Sequence, residues 1–307
     1  MHKMRLYLLM FAAGLLPWFD VSAQPQRADM AHDTGRLLTL HRHYQNAAAM
    51  SAQGRLAEAE AELREIVAAC REVFGQEHPD TLVSRSDLAA MLAEEGKYAA
   101  AEKENREVLT IRMQVLGKEH PDTLLSRNNL AATLQEQGRH AEAVREYRAV
   151  LGVRQRLLGA ENLDTLDCRN NLATALNDEG RHAEAEKEHR AVLALRERLL
   201  GAQHPKTLAS RNNLAAVLQE QERHAEAERE HRTVLALREK VLGTKHADVF
   251  MSCFNLALCL EAQSRCREAL GFMQRAQAGF KKSLGAGHPY TRAAEESRLR
   301  MAAECQK

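Results

Sequence analysis

The sequence predicts an all-α chain of repeated helical hairpins, and three observations carry that expectation. A Gly-x-x-His word recurs at a constant step of 42 residues. A second glycine series falls between its copies. Apolar residues keep helical spacing in both halves of each unit. The composition agrees: 45% of the 307 residues are hydrophobic but only 4% aromatic, enough for a large core and biased toward helix by abundant Ala, Leu, Glu and Arg. The formal charge of +1 gives no electrostatic footprint for nucleic acid or for a polybasic membrane contact.

The first element in chain order is an expected signal peptide over residues 1–23. Lys3 and Arg5 precede an apolar run from Leu6 to Leu16. Pro17 breaks that run, and Val21-Ser22-Ala23 supplies a small-residue cleavage site, with Gln24 as the first mature residue. The run is shorter than the roughly 20 residues of a spanning helix, so no membrane span is expected in the mature chain. Export to the periplasm or the exterior follows. A short linker is expected over 24–33.

Six hairpins are then expected, over about 34–75, 76–117, 118–159, 160–201, 202–243 and 244–285. Gly75, Gly117, Gly159, Gly201, Gly243 and Gly285 would each close a helix in a left-handed conformation. Pro79, Pro121, Pro205 and Pro289 suit the first turn of the next helix, where no backbone N–H is needed. Asp80 and Asp122 place negative charge at its positive end. Gly54, Gly96, Gly138 and Gly180 break each unit midway, a series that lapses to Glu222 and Ser264. One hairpin cannot bury its apolar stripe alone, whereas stacked hairpins can. Residues 286–307 would form a capping helix, with Arg292, Glu295, Glu296, Arg298 and Arg300 on a polar outer face.

The six cysteines are Cys70, Cys168, Cys253, Cys259, Cys266 and Cys305. Cys70 and Cys168 read as small buried apolar groups. Among the other four, a hairpin turn would bring Cys259 toward Cys266, with Cys253 an equal alternative, in a compartment where disulfides persist.

No chemistry-bearing constellation emerges. Histidines such as His120, His140, His182, His204 and His224 recur in successive repeats, displaced by at least a helix spacing of about 8–10 Å. They cannot converge on one ion at the roughly 2.0–2.1 Å of a Zn–N bond. The carboxylates alternate with Arg as ion-paired solvated faces. No phosphate loop, nucleophile elbow or metal motif is present. No catalytic, cofactor-binding or metal-binding residue is therefore expected, and the chain is not expected to be an enzyme.

The words Asn-Asn-Leu-Ala, at Asn128–Ala131, Asn170–Ala173 and Asn212–Ala215, and Gly-Arg-His-Ala-Glu-Ala, at Gly138–Ala143 and Gly180–Ala185, resemble the tetratricopeptide repeat in its long, kinesin-light-chain-like form. The resemblance covers about Thr34 to Cys305. It implies a right-handed superhelical solenoid whose first helices line a groove that holds a protein or extended peptide. One departure is Arg85, Arg127, Arg169 and Arg211, where the family carries a large apolar residue. Their stems can pack while the heads reach solvent or a carboxylate.

Groove candidates are Asn128, Asn129, Asn170, Asn171, Asn212, Asn213, Asn255, Gln135 and Gln219. Asn is a poor mid-helix residue, and its carboxamide offers both donor and acceptor to a peptide backbone. The alternative is that one Asn of each pair bonds a neighbouring helix and sets repeat register. A scaffold or adaptor is the expected function. The rival expectation is a structural, self-associating component of a cell-envelope assembly. Neither the partner nor the oligomeric state is readable.

Overall fold

The computed structural model describes residues 42–51 and 53–305. The expected signal peptide and linker lie outside the described residues. The regular structure within them is helical throughout. The chain divides into two compact units, one running through Gln137 and the other from Gly138.

The first unit holds α1 (42–51), α2 (Leu56–Phe74), α3 (Pro79–Glu94), α4 (Tyr98–Val115) and α5 (Pro121–Glu136). From α2 onward, consecutive helices pack on one another, and α3 also meets α5. Leu63, Ile66, Leu88, Met91 and Leu92 lie in its core. The second unit holds α6 (His140–Leu158), α7 (Leu163–Asp178), α8 (His182–Leu200), α9 (Pro205–Glu220), α10 (His224–Leu242), α11 (Ala247–Ala262), α12 (Cys266–Leu284) and α13 (Pro289–Glu304). Here too each helix packs on the next, and the first helices α7 and α9 touch. The result in each unit is the expected stack of helical hairpins.

The recurring histidine explains why first helices start where they do. His78, His120, His204, His246 and His288 are N-caps, and each Nδ1 accepts the backbone N–H two residues on, at 3.1–3.2 Å. Asn162 does the same with Oδ1 at 2.9 Å, so the one departure from His preserves the acceptor. Second helices begin without a capping side chain. In compensation, Arg181 donates from Nε and Nη2 to Glu184 in the first turn, at 2.7 Å each, and Arg223 and Glu226 repeat the pair.

The closing glycines differ from the expectation. Gly75, Gly159 and Gly201 have φ of 86–88° but ψ of 159–171°, outside the left-handed helical well. That region is open essentially to glycine alone. The midway breaks behave otherwise: Glu222 and Ser264, which replace glycine there, both hold φ at 59°.

Candidate functional site

The first helices carry every groove candidate, and the second unit shows where the carboxamides point. Asn212 and Gln219 turn toward their own hairpin. Asn212 Oδ1 lies 3.3 Å from His231 Nδ1, and Gln219 Oε1 lies 3.0 Å from His231 Nε2. His231 sits on α10 and is buried. Burial, with Arg238 nearby, holds its imidazole down to about pH 4, so the ring is neutral and carries one N–H. The single ring N–H therefore donates to one of these two carboxamide oxygens.

Asn213 turns the other way. Its Nδ2 donates to Asn170 Oδ1 at 3.1 Å, joining α9 to α7 across the stack. One bond uses one of several valences on each carboxamide, so both retain donor or acceptor capacity. Asn171 and Asn255 are half-buried on their helices. Around them Ala216, Asp178 and Glu220 are exposed.

In the first unit Asn128 is buried, while Asn129 and Gln135 are half-buried. The nearby Asn105 on α4 donates from Nδ2 to Thr133 Oγ1 at 3.0 Å, tying α4 to α5. Leu125 is exposed. Asp87 occupies on α3 the register that Asn129 holds on α5. Its Oδ2 is covered with no hydrogen-bond partner among the described residues, and burial raises the carboxyl to about pH 7 against the pull of Arg112.

Three of the four arginines in the series, Arg85, Arg169 and Arg211, reach carboxylates. Arg85 is 2% exposed and donates from Nε to Glu104 Oε2 at 2.8 Å, with Glu107 as a second partner. Arg169 bonds Glu188, and Arg211 bonds Glu230 and Glu197. Glu104, Glu188 and Glu230 each lie on the second helix of the same hairpin.

A second arginine series, unrecognised at the sequence level, docks hairpin on hairpin. Arg196 Nη1 donates to the Ser210 hydroxyl at 2.6 Å and to the Lys206 carbonyl at 3.1 Å. Arg238 repeats this with Ser252 and the Asp248 carbonyl, and Arg112 with Ser126 and the Asp122 carbonyl. Its signal was present: Arg112, Arg154, Arg196 and Arg238 recur at the same 42-residue step.

The cysteines depart from the expected pairing. All six are free. Cys259 is buried and its thiol points to the His224 carbonyl at 3.6 Å, on the preceding hairpin, instead of to Cys266. Among the described residues no group of three His, Cys, Asp or Glu is placed to hold a metal ion, and no helix is long and apolar enough to cross a membrane.

The tetratricopeptide repeat model matches residues 35–114, 85–156, 122–187, 169–240 and 209–282. The chain belongs to the tetratricopeptide repeat family. Among solved tetratricopeptide structures, it is similar to the nearly identical TPR-like repeats of a Podosopora anserina protein designated a kinesin light chain. The identity is 28% and the TM-score 0.57, covering 67% of this chain and 97% of that one. BtubC (BKLC) from P. vanneervenii is 23% identical with a TM-score of 0.56, covering 81% and 94%. NprR in complex with its cognate peptide NprX is 13% identical with a TM-score of 0.60, covering 86% and 72%. The last two show a shared fold. No curated protein matches the chain.

Proposed function

We propose that this tetratricopeptide array is a binding scaffold that holds an extended protein segment along its first helices, and that it acts after export. The carrying observation is the Asn213–Asn170 contact, which lays two adjacent carboxamides along α9 and α7 with bonding capacity to spare. A strand-like peptide presents alternating N–H and C=O groups that such carboxamides satisfy. Exposed Ala216 leaves room beside them, and Asp178 and Glu220 favour a segment with basic residues. The NprR structure, a complex of the same fold with its cognate peptide, supports peptide binding in general.

A photo-crosslinking residue at Ala216, in the native compartment, tests this reading. A discrete crosslinked partner is the expected result, and crosslinks to other copies of the chain alone would overturn it. The self-associating alternative has its own observation. Leu157, Leu158, Leu199, Val241 and Leu242 are exposed at the ends of second helices in the second unit. Concentration-dependent sedimentation distinguishes that alternative.

The same reading places residues 1–23 as a leader removed on export. Intact mass of the native protein checks it: a chain beginning near Gln24 is expected, and retention of Met1 in the localised protein would exclude it.

A further inference from the structure

Four cysteines are buried, and the two that are not lie together. Cys266 opens α12, and Cys305 is the C-cap of α13. These helices are consecutive, antiparallel and packed along their length, so the start of one sits beside the end of the other. The end of α13 is held at this place by Arg300, which donates from Nε and Nη2 to the two Glu261 carboxylate oxygens at 3.0 and 2.9 Å. Interaction with the neighbouring Cys266 thiol, together with burial, pushes the Cys305 thiol up to about 11.

The helix so positioned covers the last hairpin. Ala294 and Met301 of α13 are fully buried with Met273 and Phe280 of α12. Phe280 packs on Tyr290 at 5.7 Å and edge-on to Phe250 at 6.2 Å. Gly279 admits that Phe250 ring, since a Cβ there would approach it to 2.3 Å. Elsewhere in the unit the next hairpin covers this face; at the end α13 alone does so.

We infer that Cys266 and Cys305 form a redox clasp, oxidising to an intramolecular disulfide that fixes the terminal helix over the last hairpin. The oxidant is a disulfide, either small-molecule or the active-site disulfide of an oxidoreductase. One cysteine thiolate attacks an oxidant sulfur and displaces a thiolate, giving a mixed disulfide. The other cysteine then attacks the protein sulfur of that bond, forming Cys266–Cys305 and releasing the second oxidant sulfur. The two thiol protons pass to the two departing thiolates, so one disulfide is reduced for each one formed.

The test titrates the full chain with mixtures of reduced and oxidised glutathione, with peptide mapping and amide exchange. The expected product is two hydrogens lighter, with a Cys266–Cys305 linked peptide and Cys70, Cys168, Cys253 and Cys259 still free. Exchange in Pro289–Glu304 should slow at least about tenfold on oxidation. C266S and C305S should each stop at a glutathione adduct on the remaining cysteine. Separate glutathione adducts on both cysteines of the native chain, a link to Cys259, or two unmodified thiols at excess oxidant would each overturn the clasp.

Discussion

Arg196 donates to the Ser210 hydroxyl at 2.6 Å, pinning α8 to the helix that opens the next hairpin. Arg196 is buried, and Asp167 and the Lys206 carbonyl also receive it. The neighbouring joint shows the consequence of losing the serine. Cys168 stands in that register, its thiol is turned to the Tyr147 carbonyl at 3.6 Å, and Arg154 keeps the Asp164 carbonyl at 2.8 Å.

Replacing Ser210 by Ala should therefore destabilise the second unit by about 1.5–3 kcal/mol, the range for a hydrogen bond to a charged group. Urea unfolding checks it. An unchanged midpoint would mean the guanidinium is held by its other partners alone.

Glu222 and Ser264 carry side chains at φ of 59°, where a non-glycine residue costs about 1–2 kcal/mol. E222G and S264G should each stabilise the second unit by about 1 kcal/mol after allowing for the greater freedom of glycine in the unfolded chain. A lowered melting temperature for both would show that their side chains make compensating contacts.

Acid should act on the two units in opposite directions. His231 has a folded value of about 4, below the ordinary 6.5, so the unfolded chain takes the proton first. Its contribution is intact above about pH 6.5 and drains away between 6.5 and 4, by up to about 3 kcal/mol. Asp87 has a folded value of about 7, above the ordinary 3.8, so the folded chain keeps the proton. Its contribution is present below about 3.8 and is lost as pH rises through 7, by up to about 4 kcal/mol. Amide exchange read separately in each unit, against D87N and H231M, isolates the two. Asn stands in the first register at Asn129 and Met in the second at Met273. The same pH slope in variant and parent would refute either assignment.

If the carboxamides grip a backbone, N170A with N213A should cost about 1–3 kcal/mol of binding, or roughly 5- to 150-fold. The readout is the yield of the Ala216 crosslink. The helices should persist, since Ala is the better helix former. An unchanged yield together with a markedly lower melting temperature would make the pair a register device.

The hairpins were legible because glycine, histidine and proline mark the ends of most helices, and those residues act through backbone geometry that sequence displays. The direction of each carboxamide was not. Adjacent residues on a helix point about 100° apart, so Asn212 and Asn213 cannot face the same way. Which one meets His231 depends on how two helices are rotated against each other. The closing glycines were correctly placed but wrongly shaped, because glycine is compatible with either conformation at positive φ. The neighbour of Cys266 was left open among the C-terminal cysteines, because a turn favours near neighbours in sequence whereas antiparallel packing joins the beginning of one helix to the end of the next.

The joints between hairpins have an evolutionary corollary. The histidine cap and the arginine–serine bond are completed by residues lying 2 and 14 positions apart, so each joint is self-contained. A duplication of one whole unit, such as Pro205 to His246, brings its own fasteners, because Arg238 of one copy meets Ser210 of the next, and leaves the flanking ones intact. Copy number in such an array can drift by unequal recombination without a folding penalty at the seam, so the length of the surface offered to a ligand becomes a heritable variable separate from its chemistry.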